Sequence, residues 1–144
     1  MIKKVLVLIL LYFVTHQVYS EEIRYGYNSN GVYVPISVGG KYINYGYNSS
    51  GENVPKSIGN EKIEYGYNAQ GKYVPVSIGD KRIHYGYNGC GEYKPKAIGN
   101  KKIEYNYNAS GKYSPSSIDG RRIRYNYGAT GTYIPTMIDD WFID

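Results

Sequence analysis

Cysteine is all but missing from this chain. Cys90 is the single one in 144 residues, so no intrachain disulfide can staple the fold, although an exported protein could carry one. Tryptophan is reduced to Trp141, and phenylalanine and methionine to two residues each. Past residue 20 no apolar run approaches the roughly 20 residues a membrane helix needs. A dominant charge is lacking as well. Beyond residue 20, 15 Lys and Arg face 12 Asp and Glu, and the small excess reads as mixed from repeat to repeat. A nucleic-acid binder gathers its cations on one face or stripe, so no nucleic-acid partner is expected. His84 is the one histidine past residue 20, and no carboxylate pair or Ser/His/acid set recurs at a fixed spacing. The chain is therefore read as no enzyme, with no catalytic residue, no metal ligands and no cofactor.

Residues 1–20 stand apart. A positive start, MIKK, leads into the apolar run VLVLILLYFV and a more polar THQVYS, the three-part layout of a secretory signal peptide. The pattern predicts a signal helix over 1–20, cleavage after Ser20, and an exported chain (secreted, periplasmic or at the cell surface) with no stable membrane span after cleavage.

What the chain has in quantity is tyrosine, 20 residues, and glycine, 18. Both follow from a 20-residue repeat whose six copies start at Ile23, Ile43, Ile63, Ile83, Ile103 and Ile123, so the domain reading is 21–138 for the repeats and 139–144 for a C-terminal cap. Ile23, Tyr25, Tyr27, Gly31 and Pro35 recur in all six copies, while the residue after the Ile runs through Arg24, Asn44, Glu64, His84, Glu104 and Arg124. Fixed and free positions alternating with period two indicate strands. Asn28-x-x-Gly31 marks a type I turn with a left-handed Gly, and Gly39-Gly40 or its equivalent marks a second turn. A turn every ten residues predicts an all-β chain: six β-hairpin repeats in a coiling antiparallel meander of about twelve short strands, left as a strip or closed like a barrel.

Centring the turns near residues 30 and 40 sets Tyr27 opposite Tyr33, Tyr25 opposite Pro35, Ser37 opposite Ile43 and Pro35 opposite Tyr45. Gly26 becomes Asn106 and Asn126 in the last two copies, an exchange that suggests positive φ and a bulge at that position. Seventeen tyrosines fall in three columns, with Asn53 as the exception, and rows of rings from successive copies are expected to stack on one another. At the C-terminus, Trp141, Phe142 and Ile143 would cover the last apolar face, with Asp139, Asp140 and Asp144 blunting the edge.

The stretches Tyr25-Gly-Tyr-Asn-Ser-Asn-Gly31, Tyr65-Gly-Tyr-Asn-Ala-Gln-Gly71 and Tyr105-Asn-Tyr-Asn-Ala-Ser-Gly111 resemble the tyrosine–aspartate repeats of the Rhs and insecticidal-toxin type, with Asn where that family has Asp. The resemblance covers nearly all of the chain past residue 20 and implies one β-hairpin per unit in a coiling strip.

Export, repetition and aromatic richness together point to a multivalent binding or adhesion module at the cell envelope or outside the cell. Its candidate contacts are Tyr25, Tyr27, Tyr45, Tyr47, Tyr65, Tyr67, Tyr85, Tyr87, Tyr105, Tyr107, Tyr125 and Tyr127, and its partner a glycan or another envelope component. The alternative is a structural matrix protein that self-associates through its tyrosine-rich repeats, with Cys90 available for an intermolecular disulfide.

Overall fold

A computed structural model describes residues 21–139; the expected signal helix over 1–20 and residues 140–144 of the expected cap lie outside them. Each repeat is one hairpin. β1 (Glu21–Tyr27) pairs with β2 (Tyr33–Val38), β3 (Lys41–Tyr47) with β4 (Asn53–Ile58), and β5 (Glu61–Tyr67) with β6 (Tyr73–Ile78). The second half repeats the scheme with β7 (Lys81–Tyr87) and β8 (Tyr93–Ile98), β9 (Lys101–Tyr107) and β10 (Tyr113–Ile118), β11 (Arg121–Tyr127) and β12 (Tyr133–Ile138). Every strand is antiparallel to its chain neighbours, and β1 pairs with β12 through Glu21 with Ile138 and Glu22 with Met137, so the meander closes into a twelve-stranded barrel.

The turns form for local reasons. In the first, Gly31 donates its N–H to the Asn28 carbonyl at 3.0 Å, and the Asn28 side-chain Oδ1 accepts from the backbone of Asn30 and Val32, both at 2.9 Å. Gly31 sits at φ 76°, in the left-handed region where a side chain would be strained. The second turn is two residues long and sets Val38 opposite Lys41 and Ser37 opposite Tyr42. The expected pairing of Ser37 with Ile43 and of Pro35 with Tyr45 is therefore replaced. A two-residue loop has its centre between residues 39 and 40, not on residue 40, and the pairing then stops.

It stops because of proline. Within a hairpin the register shifts between Arg24 and Tyr25, so that Arg24 opposes Ser37 and Tyr25 opposes Pro35, leaving Ile36 as a bulge. The expected bulge at Gly26 is thus found on the other strand, at residue 36. No positive φ occurs at Gly26, Gly46, Gly66 or Gly86, and Tyr25 and Tyr27 stay on one face. The Gly/Asn exchange reflects space instead: a Cβ at Gly26, Gly46, Gly66 or Gly86 would lie 3.0–3.4 Å from the side chain of Ile36, Lys56, Val76 or Lys96. Where the glycine becomes Asn106 or Asn126, the facing residue is Ser116 or Thr136, whose hydroxyl donates to the carbonyl of Glu104 or Arg124. Gly66→Asn is accordingly expected to lower stability by about 1–3 kcal/mol through overpacking, and Val76→Ser in the same chain to restore more than half of it. A denaturant double-mutant cycle reads this, and strictly additive effects would refute it.

Inside the barrel, Ile23 and Val38 with their equivalents form one cluster of twelve Ile and Val side chains, each at most 7 % exposed. Above them sit Tyr25 and its five equivalents, partly buried against that cluster. The expected stacking between successive copies is not what joins the repeats. Equivalent tyrosines are two strands apart, about 9–10 Å at normal strand spacing, beyond the 4.5–7 Å reach of a ring pair. The tyrosine hydroxyls make the link: Tyr45 donates to the Pro35 carbonyl at 2.6 Å, Tyr65 to Pro55, Tyr85 to Pro75, Tyr105 to Pro95 and Tyr125 to Pro115. The N–H and C=O of one strand residue point to the same side. Proline has no N–H to waste there, and its carbonyl, left without a ladder partner once pairing stops, is met by the phenol.

The tyrosine rim

The three tyrosine columns end in different environments. Burial, joined at several positions by neighbouring tyrosines, raises the hydroxyl pKa of Tyr25, Tyr45, Tyr65, Tyr85, Tyr105 and Tyr125 well above its ordinary value. These six expected contact residues are neutral hydrogen-bond donors engaged inside the barrel. Tyr27, Tyr47, Tyr67, Tyr87, Tyr107 and Tyr127 are 62–74 % exposed, at the first-turn ends of their hairpins.

The sequence reading left the middle column out of the candidate site, and the structure shows that it shapes the rim. Tyr73 stacks on Tyr65 at 6.0 Å and meets Tyr67 edge-on at 5.1 Å. The same trio recurs as Tyr85, Tyr93 and Tyr87, and as Tyr105, Tyr113 and Tyr107. Only the second hairpin lacks it, because Asn53 replaces the middle ring. The signal was present in the sequence, since Tyr27 opposite Tyr33 is the register the first turn dictates and the one observed. Each outer ring except Tyr47 is thereby held on one edge, with its remaining surface open to solvent.

Side chains of the preceding turn add polar groups beside those rings. Asn30 Nδ2 donates to the Tyr47 hydroxyl at 3.3 Å, Gln70 Nε2 to Tyr87 at 3.4 Å, and the Cys90 thiol lies 3.3 Å from the Tyr107 hydroxyl. That last contact pushes the Tyr107 hydroxyl pKa upward. Cys90 itself is free and exposed.

Between neighbouring hairpins the strands part beyond their two paired residues and leave clefts. One of about 310 Å³ separates the third and fourth hairpins, with Tyr67, Val76, His84, Tyr85 and Tyr93 on its walls. The equivalent cleft at the closure, between the sixth hairpin and the first, measures about 580 Å³ and includes Tyr25, Tyr33, Ile36, Tyr127, Ile134 and Met137. In this cleft Gly128 stands where the other copies have Asn, and a Cβ there would lie 2.6 Å from Ile134 Cδ1. Beside the closure, Asp139 is 3 % exposed. Its burial opposes ionisation, but hydrogen bonds from Arg124 and Arg122 outweigh that and hold its carboxyl below the usual range. Among the described residues no three His, Cys, Asp or Glu side chains gather as metal ligands would. No protein-family model, curated protein or solved structure matches the chain.

Proposed function

We propose that this chain is an exported multivalent binding module whose rim of six exposed tyrosines engages glycan or another cell-envelope component. One observation carries the reading: the twelve buried Ile and Val side chains already form the core, yet every copy places another large aromatic ring at 62–74 % exposure. A large ring left in solvent at the same place in every copy, which the core does not use, is what we read as an interaction surface. A ring fixed on one edge by its neighbour offers a flat face to the C–H side of a sugar, and its phenol and the adjoining amides offer donors and acceptors to sugar hydroxyls. Six copies let weak contacts add.

Two further features favour this reading over its rivals. Closure pairs every described strand on both sides, through two residue pairs at each junction between hairpins, so no strand is left wholly free on one edge as a template for self-assembly by edge addition. The outward columns carry Arg24, Lys62, Glu64, Glu104 and Arg122, and strands of six or seven residues fall short of the 9–11 that a membrane barrel needs.

The test is a triple variant, Tyr67→Ser, Tyr87→Ser and Tyr107→Ser, on a glycan array and on insoluble envelope polysaccharide. Removing half of the rim is expected to weaken apparent affinity by about tenfold or more through lost multivalency, with little change in melting temperature because these rings are exposed. Unchanged binding by the triple variant, or no retention of the parent protein on any such material, would remove the proposal.

A further inference from the structure

The cleft between the third and fourth hairpins holds a cation that no carboxylate answers. Arg82 and His84 stand on its wall beside Asn68 and the rings of Tyr67, Tyr85 and Tyr93, and no Asp or Glu is among the residues that line it. Arg82 and His84 are both exposed. Across the junction Arg82 opposes Ser77, and across its own hairpin His84 opposes Ala97, so neither has an acid as its strand partner.

The same two positions at the other five junctions show that this is not a property of the repeat. Entering the third and fifth hairpins, the cation at the Arg82 position is neutralised two residues on, Lys62 by Glu64 at 3.3 Å and Lys102 by Glu104 at 3.1 Å. At the closure the order is reversed, with Glu22 3.5 Å from Arg24. Entering the sixth hairpin, Arg122 and Arg124 both bind Asp139, and entering the second, Tyr42 and Asn44 carry no charge. The fourth hairpin alone follows its cation with a histidine where a carboxylate would neutralise it.

Asn68 adds a donor to the same wall. Its Oδ1 is taken by the backbone N–H groups of Gln70 and Lys72, at 2.9 and 3.0 Å, which leaves Nδ2 to donate elsewhere.

We propose that this cleft is the subsite for a uronic acid residue of the glycan, with the Arg82 guanidinium binding its carboxylate, His84 and Asn68 its hydroxyls, and the Tyr67 ring its C–H face. A planar guanidinium matches a carboxylate with two parallel donors. At about 310 Å³ the cleft lies at the small end of the range for ligand sites, which suits one sugar unit. The assignment rests on the rim reading, because Tyr67 belongs to both, and it adds the charge of the ligand. A single-stranded nucleic acid also stacks on rings, but it needs a cationic groove along its backbone, and the cations entering the third and fifth hairpins are engaged by Glu64 and Glu104.

The test is affinity, by calorimetry at low salt, for oligomers of galacturonate and of glucuronate, each beside its methyl ester, which keeps the sugar ring and removes the charge. The parent protein is expected to favour the acids by about three- to fivefold, as for one exposed charge contact, and to lose that margin as salt is added. Arg82→Gln is expected to bind acid and ester alike, at the parent's affinity for the ester. So is His84→Glu, which sets a carboxylate two residues from Arg82 as Glu64 and Glu104 are set from Lys62 and Lys102, an arrangement the fold already carries. Lys112→Gln removes the same charge from an exposed position beside the first turn of the fifth hairpin and is expected to keep the preference. Equal affinity of the parent for acid and ester, or binding to neither, overturns the subsite; the rim reading falls with it only if the glycan array is blank as well. A preference that survives Arg82→Gln, one that is lost in Lys112→Gln, or tighter binding to oligo(dT) would also overturn it.

Discussion

Ile98→Ala is expected to lower the unfolding free energy by about 2–5 kcal/mol, at the upper end of that range for a site that cannot collapse. Ile98 is fully buried and opposes Ile83 across the fourth hairpin, within a cluster built from all six repeats. The hydrogen-bonded ring of twelve strands holds that cluster from outside, so its walls cannot move in to fill the space of the lost atoms. The natural chain supplies the comparison. Val38 stands at this position in the first repeat, so Ile98→Val is expected to lose only about 0.5–1.5 kcal/mol. Denaturant unfolding of both variants tests the idea, and a loss below about 1 kcal/mol for the alanine would show that the twelve side chains do not pack as one body.

Tyr25→Phe is expected to have the second large effect, concentrated at one place in the ring. The Tyr25 hydroxyl donates to the Pro135 carbonyl at 2.6 Å. Without it that buried carbonyl loses its partner, which costs about 1–3 kcal/mol. Tyr65→Phe removes an equivalent bond to Pro55, but there the third hairpin follows the second through a covalent turn. Between β12 and β1 no turn makes the connection. Two residue pairs and the tyrosine hydroxyl hold this seam directly, beside the Asp139 cluster. Amide hydrogen exchange should therefore speed up at Glu22, Ile23 and Met137 in Tyr25→Phe, and stay near parent values there in Tyr65→Phe. Identical exchange patterns in the two variants would mean that the seam opens no more easily than any other junction.

Much of this fold is legible in the residues because it is local. Asn28 and Gly31 specify their turn through contacts no longer than four residues, and the alternation of Ile23, Tyr25 and Tyr27 with variable residues assigns the inner face. The second-turn register was not legible, because Gly39-Gly40 allows a turn centred on a residue or between two, and the choice flips which side chains oppose. The bulge was placed on the wrong strand for a related reason. Gly26 looked like a conformational glycine, and only the position of Ile36 above it shows that it is a spatial one. The candidate site divided in two: Tyr25 and Tyr27 are equally invariant in the repeat, but one column is engaged by proline carbonyls and the other is open.

By itself, then, the sequence determined the unit: a 20-residue hairpin, its first turn, its inner and outer faces and its dependence on neighbours. These follow from steric preferences and hydrogen bonds within a few residues, which every copy repeats. The tertiary structure decided that six units close on themselves and that tyrosine hydroxyls and proline carbonyls join them. Closure depends on the bend that each bulge adds to a strand pair, and whether six such bends complete a ring is a sum over the whole chain.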